Sequence, residues 1–264
     1  MDSIYQAVAE LEKNGESGAL CTIISTRGST PRHSGSKLLV YPDGQFIGTV
    51  GGGEVEARVL QEAIESMKDG RPRLLKYEMV DPKEGDPGVC GGQLEVFVEP
   101  IVSKATVLVI GGGHVGKALA HLARWLGFRV VVSDDRVEFC TPEENPDADE
   151  FLPMKMSEIP EKFRITPQTY IVLTTRGMGV DVEGLPALLD SPAAYIGVIG
   201  SRRRWSMTRS ELEKMGIPEE KIARVVSPIG LELNAETPEE IAVSIMAEII
   251  MLRNGGDGKQ MKMD

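Results

Sequence analysis

Apolar residues recur at helical spacing at the start of the chain, in Ile4, Val8 and Leu11, and Asn14-Gly15 closes that pattern. A run rich in β-formers, Ala19 to Ser25, predicts a strand. A polar loop of Gly, Ser, Pro, Arg and His follows from Thr26 to Ser36. Lys37 to Tyr41 and Gln45 to Val50 flank Pro42-Asp43-Gly44 and predict a hairpin. Gly51-Gly52-Gly53 then opens a helix running to about Lys68, and Arg73 to Val80 is extended. Asp81 to Gly92 reads as a long loop of Pro, Gly and acidic residues. Leu94, Val96 and Val98 alternate with Glu95, Phe97 and Glu99, as in a half-buried strand that Pro100 should end.

From residue 104 the pattern changes to strict alternation. Apolar runs at Thr106–Ile110, Arg129–Ser133, Tyr170–Thr174, Tyr195–Ile199 and Arg224–Val226 predict strands. Helical patterns lie between and after them, near 114–126, 182–190, 203–215 and 237–253. Thr237-Pro238-Glu239-Glu240 has the form of a capping box with proline at the first helical position. Such alternation predicts a parallel sheet with right-handed crossovers. The expected architecture is α/β: an N-terminal α+β domain, 1–103, then a Rossmann-like doubly wound parallel sheet, 104–253, and a flexible tail, 254–264. Ile101 to Lys104 is the expected linker.

The strand Val107-Leu108-Val109-Ile110 runs directly into Gly111-Gly112-Gly113-His114-Val115-Gly116. This is the dinucleotide-binding glycine pattern, G-x-G-x-x-G, with a strand before it and a helix after it. Gly111 turns the chain, Gly113 lets backbone approach a phosphate, and Gly116 lets helix and strand pack closely. The helix start supplies unpaired N–H groups and a partial positive charge, and His114 sits within it. Asp134 ends the next strand at the spacing of the residue that binds a ribose hydroxyl. In a parallel sheet the other strand ends share this edge. They bring Arg176, Ser201 and Arg202 to it, where arginine suits phosphate or carboxylate. In the first half, Gly52 and Gly53 can offer amides to an anion, although Glu54 and Glu56 compete there.

Composition narrows the possible partners. The 264 residues carry a formal net charge of −11, which repels phosphate backbones and argues against nucleic acid as a partner. No apolar run approaches the roughly 18 uncharged residues of a membrane span, and Met1-Asp2-Ser3-Ile4-Tyr5 lacks the features of a signal peptide. Cys21, Cys90 and Cys140 are odd in number and irregularly spaced, which suits a reducing, cytoplasmic setting and offers no zinc pattern. Cys21 lies in an apolar strand and should be core, and Cys140 reads as incidental. Cys90, in Gly88-Val89-Cys90-Gly91-Gly92, is sterically open and could meet a metal or its sulfur, although nearby acids raise a thiol pKa. Trp125 and Trp205 read as packing anchors.

Several segments together resemble the XdhC/CoxI family of xanthine dehydrogenase accessory proteins. They are Arg27-Gly28-Ser29-Thr30-Pro31-Arg32, Gly48 to Glu56, Cys90-Gly91-Gly92 leading to Glu95–Pro100, and Ile110 to Gly116. Tyr195 to Arg203, and Ser227-Pro228-Ile229-Gly230-Leu231 through Thr237–Ala242, complete the set. The resemblance implies a chaperone rather than an enzyme. Such a protein binds molybdenum cofactor, as molybdopterin or its cytosine dinucleotide, and delivers it to xanthine dehydrogenase or a related molybdenum hydroxylase. A cysteine desulfurase supplies a terminal sulfur, and a homodimer is the expected assembly. The chain departs from many members at Gly51-Gly52-Gly53-Glu54, where they have Ser-Gly-Gly-Cys, and at Thr175-Arg176, where they have Thr-His. Two alternatives stay open: an NAD(P)-dependent oxidoreductase, and a scaffold with a degenerate nucleotide fold.

Overall fold

The computed structural model describes residues 3–79, 91–101 and 104–261. The chain divides into two compact units, 1–103 and 104–264.

In the first unit, α1 (Ile4–Asn14) starts at Ser3, whose hydroxyl caps the helix while Gln6 returns the bond. Strands β1 (Gly18–Arg27), β2 (Lys37–Val40), β3 (Phe46–Gly48), β4 (Arg73–Glu78) and β5 (Gln93–Ile101) form an antiparallel sheet in the order β3-β2-β1-β5-β4. Helix α2 (Gly53–Asp69) packs Val55, Val59 and Ala63 against Cys21, Ile23, Val96 and Val98. Helix α1 covers Leu39 with Ala7 and Leu11.

Two sequence expectations change here. Strand β1 runs on through Thr26 and Arg27, which pair with Leu94 and Gln93. Strand β5 continues through Pro100, which pairs with Ala19. The last β4 residue beside β5 is Arg73, opposite Val98, so at Pro100 one side of the strand is an open edge. Proline is tolerated in such places because an edge has N–H positions with no ladder partner. The expected loop at 81–92 lies mostly outside the described residues, and Cys90 lies outside them entirely.

In the second unit, β6 (Thr106–Ile110), β7 (Arg129–Ser133), β8 (Glu150–Leu152), β9 (Thr169–Leu173), β10 (Tyr195–Val198) and β11 (Val225–Val226) form one parallel sheet. The order β11-β10-β9-β6-β7-β8 is the doubly wound one, with the reversal between β6 and β9. Helices α3 (His114–Trp125) and α8 (Pro238–Asn254) cover one face. Helices α4 (Ile159–Lys162), α5 (Met178–Leu188), α6 (Arg202–Lys214) and α7 (Glu219–Ile222) cover the other. Both faces are therefore dry, and all five β6 residues are buried.

Three short elements, β8, α4 and α7, were not anticipated, and α5 begins at Met178 rather than near 182. Trp125 is not a packing anchor: it is 78% exposed. The buried stripe of α3 is Gly116, Leu119, Ala120 and Ala123, which leaves position 125 facing outward. Trp205 does pack against the core. No helix among the described residues is long and apolar enough to cross a membrane.

Candidate functional site

Gly111, Gly113 and Gly116, the three motif glycines of the β6–α3 turn, occupy three different environments. Gly111 has φ +116°, a conformation that side chains rarely adopt, and Thr174 closes over it. A Cβ on Gly116 would lie 1.9 Å from the Gly111 carbonyl oxygen, so helix and turn touch there. A Cβ on Gly113 would meet nothing within 4 Å. Gly113 is also the N-cap of α3, and no side chain caps that helix. Gly113 is thus bare backbone at a helix N-terminus, with His114 exposed beside it.

Around that bare stretch the turn is firmly tied. Thr174 donates its hydroxyl to Gly111 O at 2.7 Å, joining the ends of β6 and β9. Asn145 donates to the carbonyls of Gly112 and Phe139 at 3.2 and 2.9 Å. Asp134, only 4% exposed, accepts from Gly112 N at 2.9 Å through Oδ2. Arg136 fills its other positions, donating from N and Nε to Oδ1, each at 3.0 Å, and from Nη2 to Oδ2 at 2.9 Å. Four donors fill the carboxylate's usual capacity. The sequence suggested Asp134 as a ribose ligand, but its carboxylate is instead turned inward onto the chain. The Arg136 guanidinium lies 3.9 Å from the centre of the Phe139 ring.

Arg176 reaches from the β9 end to Asp135 at the β7 end, with Nη1 and Nη2 donating to the two carboxylate oxygens at 2.5 and 2.8 Å. Since β6 lies between β7 and β9, this pair spans the end of β6, above the glycine turn. The guanidinium holds the Asp135 carboxyl well below the usual range, at about 2. Beside the pair is a cleft open to solvent, with apolar walls from Met154, Met156 and Val180 and a rim carrying Lys155 and Glu183. Lys155 and Glu183 pair at 2.9 Å.

The Arg176 loop is anchored from beneath. Asp181, fully buried, accepts from the Thr175 hydroxyl and from Arg204, whose Nη2 is 2.6 Å away. Arg204 Nη2 also donates to Thr175 Oγ1 at 2.7 Å. Ser201 caps α6, accepting from Arg204 N at 3.2 Å, and Arg202 is exposed in the first turn. Gly111, Gly113, His114, Gly116, Asp134 and Arg176 are therefore neighbours along β6, β7 and β9, whereas Ser201 and Arg202 stand further along the edge, at β10.

In the first unit, the glycine loop before α2 already holds an anion of its own. Glu56 Oε2 accepts from Thr49 Oγ1 at 2.5 Å, Val50 N at 3.1 Å and Gly52 N at 3.3 Å. The competition expected from Glu56 thus removes the Gly52 amide, while Gly53 opens the helix with φ +63°. Cys21 is buried and its thiol is pushed up to about 12. Cys140 is buried, donates to Val132 O, and is shifted upward as well. Among the described residues no group of His, Cys, Asp and Glu is arranged to hold a metal ion.

The sequence places Asp134-Asp135-Arg136 at this edge, but Asp181 and Arg204 were missed as parts of the corner. Asp134-Asp135-Arg136 adjoin in sequence, which was a usable signal. The 41-residue separation of Asp135 from Arg176 carries no local one.

Fold and turn together define a two-unit protein whose second unit is a doubly wound nucleotide-type domain. Residues 107–249 match the XdhC Rossmann domain and residues 11–78 match the XdhC and CoxI family. The chain belongs to the XdhC/CoxI family. It is 35% identical over 263 residues to the uncharacterized protein YqeB of Escherichia coli (strain K12), covering 98% of this chain and 48% of YqeB. Over 158 residues it is 34% identical to a probable xanthine dehydrogenase subunit of Bacillus subtilis (strain 168), covering 60% of this chain and 46% of that protein. The chain thus spans about half the length of these two relatives. The molybdenum cofactor insertion chaperone PaoD of Escherichia coli (strain K12) is 23% identical over 283 residues, covering 95% of this chain and 88% of PaoD. A crystal structure described as a xanthine dehydrogenase from Bacillus halodurans shares the fold, with a TM-score of 0.50 at 23% identity over 98% of both chains.

Proposed function

We propose that this protein is an accessory factor that binds molybdenum cofactor as cargo, shields it, and passes it to xanthine dehydrogenase or a related molybdenum hydroxylase. One observation carries the reading: the bare first turn of α3 at Gly113, held open at the sheet's switch point. Every form of the cargo bears a phosphate, and unpaired amides at a helix start bind one. The likeness to PaoD supports this choice of cargo.

Each nearby residue has a part. Gly113 and His114 present amides, and Gly111 and Gly116 fix the turn. Arg176 can exchange Asp135 for the cargo's phosphate, keeping its paired N–H geometry. Cys90, outside the described residues, is the proposed contact to the metal or its sulfur, with a cysteine desulfurase as the sulfur donor. The proposed assembly is a homodimer in the cytoplasm. The alternative, an NAD(P)-dependent oxidoreductase, has less support: Asp134, the expected ribose ligand for NAD, accepts from Gly112 and Arg136.

The test is purification from cells that make molybdenum cofactor, followed by pterin fluorescence of the oxidised extract, metal content, and activation of cofactor-free xanthine dehydrogenase. Pterin and molybdenum bound to the wild type and reduced in Gly113→Ala are expected. Protein free of both, or turnover of a nicotinamide cofactor, would overturn the reading.

A further inference from the structure

Helices α3 and α8 lie side by side on one face of the second unit's sheet, and both run away from the strand-end edge. They finish at the opposite edge, where Trp125 closes α3 and Arg253, in the last turn of α8, lies 5.1 Å from the centre of the Phe128 ring. Their inner sides are core, and one flank of each is also occupied. Lys117, His121 and Arg124 of α3 pair with Glu144, Asp147 and Asp149, on the β8 side. Ser244 and Glu248 of α8 bond to Leu231, Gly230 and Tyr195, on the β10 side. The remaining flanks therefore turn toward each other and outward. They carry Ala118, Leu122 and Trp125 from α3, and Val243, Ala247 and Ile250 from α8, at helical spacing and without a charge. Trp125 is 78% exposed and Val243 48%, and the other four are part-buried.

We infer that this ridge is the face on which a second copy of the chain docks, about a two-fold axis through its centre. The inference rests on the homodimer proposed above and gives it a location. A contact of this kind needs a surface that is complementary to itself. The two helices run parallel, so a two-fold axis normal to them sets the second pair antiparallel to the first. Trp125, at one end of the ridge, then meets the Val243 end of the other copy, where the smaller side chain leaves room for the indole. The same rotation brings the acidic start of α8, with Glu239 and Glu240, to the level of the second copy's α8 end, with Arg253. An exposed aromatic anchor in an uncharged stripe, with opposite charges at its two ends, has the composition of an interface. The size is also sufficient. Helices of 12 and 17 residues are about 18 and 25 Å long and together about 20 Å wide. Pairing two such faces buries roughly 1,200 Å² in total, at the lower end of specific interfaces.

The test is sedimentation of the full chain over a range of concentrations, with Trp125→Glu and Val243→Glu beside the wild type. Both positions are exposed, so both variants should keep the wild-type Tm. The wild type should sediment as a dimer. Each variant should weaken association by about 100-fold or more, because the symmetry places the new charge in the seam twice. Indole emission supplies a second readout. It should move to the red as the wild-type dimer is diluted, and Trp125→Phe, which keeps an aromatic anchor, should associate nearly as well and lose that shift. A monomer at every concentration would overturn both the inference and the homodimer it rests on, leaving the ridge to a different protein. A dimer that both glutamate variants leave intact, or a fluorescence shift that survives Trp125→Phe, would overturn the location alone.

Discussion

The glycine turn can be tested by comparing two alanines three residues apart. In Gly116→Ala the new methyl meets the Gly111 carbonyl oxygen at 1.9 Å, where ordinary contact begins at 3.4 Å, so about 1.5 Å must be found. The obstacle is backbone, with the Thr174 hydroxyl a further 3.0 Å contact, and neither gives way easily. Overpacking of this kind costs up to about 3 kcal/mol. Alanine returns about 1 kcal/mol in helix propensity. The net loss is about 2 kcal/mol, which lowers the Tm of a unit this size by roughly 4–8 °C. Gly113→Ala differs in kind. Its φ of −73° suits any residue and its methyl meets nothing. Only the weaker N-cap is lost, under about 1 kcal/mol, or at most roughly 4 °C. Yet that methyl stands where a phosphate would approach. Calorimetric unfolding of the full chain, with pyrophosphate titration of both variants, separates stability from binding. The reasoning fails if the two variants melt alike, or if Gly113→Ala binds pyrophosphate as tightly as the wild type.

Three further outcomes follow from the same geometry. Arg204→Ala leaves Asp181 charged and buried without its partner. It should destabilise the second unit by about 3 kcal/mol in urea unfolding, and a loss under about 1 kcal/mol would refute the role given to the pair. Glu56→Ala strips the acceptor from Thr49, Val50 and Gly52, so the first unit should lose about 2 kcal/mol while the second keeps its melting temperature. The Asp135 carboxyl should titrate near 2 by NMR. Its folded value lies below the ordinary aspartate value of about 3.9, so the pair's contribution is complete above that pH and lost as pH falls through 2. The pair is partly exposed, so that contribution stays under about 1 kcal/mol. Arg176→Ala should return the midpoint toward the ordinary value, and an unchanged midpoint would rule out the guanidinium as the cause.

Much of the second unit was legible because its signals are local. Val107–Ile110 into Gly111–Gly116 states strand, turn and helix within ten residues, and Thr237 to Glu240 marks the start of α8 directly. Three-residue β8 and the single-turn helices α4 and α7 have too few positions for periodicity to register. Asp134 was correctly placed at the end of β7, but its bonds to Gly112 and Arg136 were not foreseen. The spacing that marks a ribose ligand says nothing of an arginine two residues later that closes back on it. The Asp135–Arg176 bridge and the Asp181–Arg204 anchor exist only once β7, β9 and α6 are assembled. Pro100 misled for a similar reason: whether proline ends a strand depends on whether another strand runs beside it.

The bonds from Asp134 to Gly112 and from Thr174 to Gly111 also bear on timing. A turn braced in this way has its backbone shape fixed without a ligand to order it. If the turn binds a phosphate as proposed, little loop ordering and little conformational entropy would be lost on capture. On the proposed reading, release would need no refolding of the protein either, so the moment of handover would be set by the receiving enzyme's competing grip on the same phosphate.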